Sequence, residues 1–140
     1  MQKRDFDALS ALEKRIYAKL NEVMGITREL AEAVNRQDRV AVQMLLSTRQ
    51  QPVLELQDLR AEAALKRCDL SGESERQFDR LFAGEEMDTP EEQALSAQLA
   101  ANRRLLKRVV ELDRTVSAQL CRRKSYYRTH EKTIMSRDGT

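Results

Sequence analysis

From Phe6 to Val34, apolar residues recur at Leu9, Leu12, Ile16, Val23, Ile26 and Leu30, at intervals of 3, 4, 7, 3 and 4, with Leu20 and Val34 beside the line. That period lays one apolar stripe along an α-helix and predicts a helix over about 6–34. Glu13, Lys14, Arg15, Glu22, Arg28, Glu29 and Glu32 fall between the stripe members and are expected to face water. Gly25 sits inside the stripe, where it costs about 1 kcal/mol relative to Ala; the expectation is a close approach of another helix or a slight bend.

The polar run Asn35–Arg39 then breaks the pattern. Asn35 is expected to close the first helix in a left-handed conformation and Asp38 to cap the second, because its carboxylate can accept from the free amides of the next turn. Val42, Leu45, Leu46, Val53, Leu56, Leu59 and Ala63 carry that second helix, over 38–68. Pro52 lies inside it. A missing amide and a ring pressed on the carbonyl four residues back cost about 3 kcal/mol in a straight helix, so a kink or short break is expected near Thr48–Gln51.

Two further helices follow. Ser71 or Ser74 is expected to cap a short one over 74–83, with Phe78, Leu81 and Phe82 on its apolar face and Gly84 at its end. The phenylalanine pair either closes one end of the molecule or forms a knob for a partner. Thr89-Pro90-Glu91-Glu92 is a capping box with proline in the first turn. Leu95, Leu99, Leu106, Val109, Val116 and Leu120 continue from it, predicting a helix over 90–127 and a flexible basic tail over 128–140.

The elements predict an all-α fold of one domain: an elongated antiparallel helical bundle with coiled-coil-like packing, three long helices and one short. Four Gly, two Pro, no Trp, three Phe and three Tyr in 140 residues agree with narrow packed seams rather than a thick core. Charge is unevenly placed. Residues 69–92 hold 9 acidic and 2 basic side chains, whereas residues 93–140 hold 11 basic and 4 acidic. No apolar run reaches the roughly 20 residues of a membrane span, and MQKRDFDALS lacks the apolar core of a secretory signal, so a cytosolic protein without membrane insertion is expected. Cys68 and Cys121 form no CxxC or Cys/His cluster and are expected to stay unpaired.

No catalytic group, cofactor, metal or small-molecule substrate is expected. The single histidine, His130, lies in a polar stretch, and no glycine-rich phosphate loop or nucleophile elbow is present. LEKRIYAKLNEV has the Arg-Ile pair of helical chorismate mutases but lacks the Asp that should follow. Arg103, Arg104, Lys107, Arg108, Arg114, Arg122, Arg123 and Lys124 could track phosphates along the last helix. No helix-turn-helix spacing accompanies them, and the acidic middle opposes nucleic acid.

The first helix ending in AVNRQD, the second opening with VAVQMLLSTRQQPVLELQDLR and the long last helix ending basic resemble the flagellar type III export chaperones of the FlgN type, with the FliT type second, over roughly residues 8–125. A proline such as Pro52 departs from that family's pattern. The resemblance implies a cytosolic chaperone without nucleotide or metal. It would hold the C-terminal helical segments of hook-filament junction proteins and deliver them to the export gate. Leu99, Leu106, Val109 and Val116 would line a partly exposed client groove, and Arg122, Arg123, Lys124, Tyr126 and Tyr127 would dock on the gate's cytoplasmic domain. Met24, Met44 and Met87 would either soften that groove or fill core. A coiled-coil structural or regulatory adaptor, nucleic-acid-associated or not, is the alternative reading, and a homodimer stays open in either.

Overall fold

The computed structural model describes the backbone of residues 1–85 and 87–138 and the side chains up to residue 122. Four helices account for nearly all of it: α1 (Lys3–Asn35), α2 (Arg39–Cys68), α3 (Glu73–Ala83) and α4 (Pro90–Asp138). The fold is an all-α bundle. α1 rises, α2 descends along it, α3 crosses the lower end, and α4 rises beside α1.

Three apolar clusters set this arrangement. At the lower end Phe6 and Leu9 of α1 meet Phe78 and Leu81 of α3 and Leu95 and Leu99 of α4. In the middle Ile16, Leu20, Val23 and Met24 pack with Leu56, Leu59 and Ala63 of α2 and with Leu105 and Val109 of α4. At the upper end Leu30 and Val34 enclose Val116, with Val42, Leu45 and Leu120 against them. α1 therefore runs parallel to α4 and antiparallel to α2. It is buried on two sides, which widens its stripe: Glu13, Met24, Thr27 and Ala33 are buried along with the apolar positions. Glu13, expected in water, is the clearest departure on this helix, and Met24 is core. Each fully buried Leu or Val contributes about 1.5–3 kcal/mol against an exposed reference.

The α1–α2 turn ends one residue pair later than expected. Asn35 stays helical, and Gln37 takes the left-handed conformation instead (φ 59°). The amide of Asp38 donates to Ala33 O (3.0 Å) and that of Gln37 to Val34 O (3.1 Å), the paired bonds that close a helix over a left-handed residue. The Asp38 carboxylate also accepts from Ala41 N at 3.1 Å. One residue thus ends α1 with its amide and begins α2 with its side chain.

Four other expectations change. α2 is continuous across Pro52, so no break separates Thr48 from Gln51; the ring is buried on the face toward α1. Gly72 (φ 58°), rather than Ser71 or Ser74, precedes α3, and no side chain caps it. Its last turn closes over Gly84 (φ 76°) as expected. The backbone of α4 continues to Asp138, past the boundary expected at 127, because no Gly or Pro intervenes before Gly139. Thr89 Oγ1 accepts from Glu92 N at 3.2 Å, the forward half of the capping box. Gly25 is exposed and a Cβ there would meet nothing within 4 Å, so no helix approaches it closely.

Candidate functional site

Because α1 packs along both α2 and α4, the backbones of α2 and α4 stay apart, and their separation leaves a groove with α1 as its floor. Its volume is about 510 Å³. Ile16 and Leu20 form the floor, Ala61, Ala63 and Ala64 the α2 wall, and Leu99 and Leu106 the α4 wall. Small residues make the α2 wall, so nothing from that side fills the space. A second hollow of about 440 Å³ continues past Phe82 and Arg67 toward Cys68, Leu70 and Phe78.

Farther up the bundle, past the middle cluster, a polar clasp spans three helices. Arg49 of α2 donates from Nε to Thr27 Oγ1 of α1 (3.1 Å) and from its terminal nitrogen to Asp113 Oδ1 of α4 (2.7 Å). Thr27 is fully buried and donates in turn to Val23 O at 2.7 Å. The lower limit of the groove is Phe82, 38% exposed, with the Arg103 guanidinium 4.3 Å from its ring centroid. Phe78, stacked on Phe82 at 6.2 Å between centroids, is buried in the lower cluster. One ring of the phenylalanine pair thus closes the bundle end, as the first of the two expected roles requires, and the other faces outward.

Arg60, Arg67 and Arg103 line the rim. Arg67 sits over the Phe78 ring at 5.7 Å and donates to Ala63 O. Among the described residues, none of these three arginines forms an ion pair with a carboxylate. Glu13, which also lines the groove, is held inward by Asn102. An apolar trough bordered by cations suits an amphipathic helix carrying acidic flanks. From Arg60 to Cys68 the α2 wall extends about 12 Å, which matches the roughly 10.5 Å from i to i+7 of a guest helix.

The expected groove residues divide. Leu99 and Leu106 do line it, but Leu99 is buried in the lower cluster and Leu106 is half-buried. Val109 and Val116 are core, in the middle and upper clusters, because α4 turns that face onto α1. The α2 wall of alanines is not legible in the sequence, where small residues give a weak periodic signal. Of the expected docking set, Arg122 is exposed, and Arg123, Lys124, Tyr126 and Tyr127 have side chains outside the described residues. Among the described residues no three His, Cys, Asp or Glu side chains gather as a metal site, and no helix is long and apolar enough to cross a membrane. Comparison with protein-family models, with curated proteins and with solved structures finds no match.

Proposed function

We propose that the protein is a cytosolic chaperone that holds an amphipathic guest helix in the groove between α2 and α4. We further propose that it serves flagellar type III export as the FlgN-type chaperones do, with the FliT type second. The observation that carries helix binding is the unclosed seam: an apolar trough, floored by Ile16 and Leu20 and walled by alanines on one side, with Arg60, Arg67 and Arg103 at its rim, none of them in an ion pair among the described residues. A guest would present apolar side chains at i, i+4 and i+7 to the trough and carboxylates to the rim. The flagellar client and the export gate rest on the sequence resemblance.

Titration calorimetry with peptides from the C-terminal helical segments of hook-filament junction proteins tests this reading. Binding tighter than about 100 μM is expected, and Ala64→Trp, a substitution at an exposed groove position, should abolish it without lowering the melting temperature. No binding by the unmodified chain at that concentration overturns the chaperone reading. Arg122, Arg123, Lys124, Tyr126 and Tyr127 remain the proposed docking element. A chain ending at Leu120 should keep peptide binding and lose capture by the export gate's cytoplasmic domain.

A further inference from the structure

α2 carries an inner apolar stripe and, back to back with it, an outer stripe in which five of eight positions are apolar. The inner one, Pro52, Leu56, Leu59 and Ala63, is buried. The outer one steps by 4, 3, 4, 3, 4, 3 and 4 from Val40 through Met44, Ser47, Gln51, Leu54, Asp58 and Ala61 to Leu65. Val40, Met44, Leu54 and Leu65 are 77%, 62%, 54% and 68% exposed, four of the eight large apolar side chains left exposed among the described residues. At 100° per residue the eight positions fall within an arc of about 100° on the side away from α1. Sustained 4-3 spacing is what one helix offers another along a coiled-coil seam, here over about 38 Å.

We propose that this outer face of α2 pairs, antiparallel, with the same face of a second copy of the chain. The inference does not rest on the chaperone reading, and the two surfaces meet at Ala61, which lies on both the seam and the groove wall. Its warrant is that the stripe complements itself. About a two-fold axis between Pro52 and Val53, Val40 faces Leu65 of the partner subunit, Met44 faces Ala61 of the partner subunit, and Ser47 faces Asp58 of the partner subunit. The long side chain thus meets the small one, and the serine hydroxyl meets a carboxylate it can donate to. Gln51 faces Leu54 of the partner subunit next to the axis, less than one turn from Gln51 of the partner subunit, so the two amides can reach each other. The flanking positions on one side are Gln43, Gln50 and Gln57, which bring no charges together; on the other, Glu55 and Glu62 come opposite Thr48 and Ala41. A seam without like-charge contacts is what antiparallel pairing of identical helices requires. The same flanks offer only Arg39 and Lys66, one at each end of the stripe, to an anionic lipid surface, the other common host for such a face.

Light scattering on the full chain decides it. A mass of twice 16.2 kDa is expected, and Leu54→Asp/Leu65→Asp should return it to 16.2 kDa with the helical circular dichroism unchanged, since both leucines are exposed in the protomer. Val110→Asp, at an exposed position on α4, should leave the dimer intact. Nitroxide labels on the exposed Cys68, in a Cys121→Ser background, should lie about 45 Å apart, because each faces residue 37 of the other copy 31 residues away. A monomer at about 200 μM, a dimer that survives the double aspartate variant, or labels within about 20 Å, the outcome of parallel pairing, would each overturn the proposal. Should the aspartate variant lose its helicity, Val40→Lys/Leu65→Lys takes its place under the same criteria.

Discussion

Asn102 of α4 donates through a single amide nitrogen to two acceptors on Glu13 of α1, the backbone carbonyl at 2.8 Å and Oε2 at 2.7 Å. Both residues are buried. Gln98 in turn donates to Asn102 Oδ1 at 3.1 Å, so the amide is used on both sides. Replacing Asn102 by Ala leaves the Glu13 carboxylate without a donor in an enclosed place, which costs about 1–3 kcal/mol. Chemical denaturation should show that loss for Asn102→Ala. Much of it should return in Glu13→Leu/Asn102→Leu, where neither partner is polar; an additive or larger loss in the double variant would refute the pairing.

Gly25 should be replaceable at a gain. It lies in the helical interior of α1, exposed, with open space where a Cβ would go. Gly25→Ala removes backbone freedom from the unfolded chain and is expected to add up to about 1 kcal/mol. A lowered denaturation midpoint would mean that the glycine serves a contact absent from the single chain.

Lys19 ties α1 to α2 through Glu55 and also bonds Glu22 in its own helix. Its amine is held above the ordinary 10.5 by Glu22 first and Glu55 second. The Glu55 carboxyl is held below the ordinary 4.5 by Lys19 and then by Gln51. A depressed carboxyl stabilises fully above its unfolded value and loses that contribution as pH falls through the folded one; a raised amine behaves oppositely on the alkaline side. The pair therefore holds from about pH 4.5 to 10.5. Glu55→Gln should melt earlier than the parent chain at pH 7 and together with it near pH 3. Both side chains touch water, so the effect at pH 7 is expected to be small. A gap as wide at pH 3 as at pH 7 would show that Glu55 acts through packing.

Much of this fold is legible in the residue pattern, and the parts that are not share a cause. Stripes on α1 and α2, the Asp38 cap, the Thr89 start and the Gly84 stop follow from local chemistry, and α1, α2 and α3 appear near their expected bounds. Periodicity tells which face is apolar without telling which neighbour receives it. Leu105 and Leu106 are adjacent apolar residues, and only the placement of α1 decides that Leu105 is buried and Leu106 stands at the groove edge. Glu13 reads as a surface residue because its donor lies 89 positions away. The groove itself is a gap between two helices, and a gap leaves no mark on either strip of sequence. Its alanine wall and arginine rim become a site only when α2 and α4 are set apart by α1.

Cys68 and Cys121 should remain unbridged within one chain. Cys68 ends α2 at the lower end of the bundle, whereas Cys121 lies beyond Val116, which packs on Leu30 and Val34 at the upper end. Both thiols are exposed and free. A disulfide needs Cα atoms within about 7 Å. Mass spectrometry after air oxidation should find no intramolecular bridge, and finding one would refute the direction assigned to α2 or α4.

The double use of Asp38 bears on how the chain matures as it is made. A turn that ends one helix and starts the next within the same residue lets α1 and α2 fold as a hairpin of neighbouring contacts, once residue 68 has left the ribosome. α4 does not yet exist at that moment. Phe6 and Leu9, whose covers come from α3 and α4, then face the cell unprotected while the following 72 residues emerge, roughly 4–14 s at 5–20 residues per second. During that interval the half-made molecule presents the very kind of greasy helical face that a finished helix-holding protein would shelter in another chain.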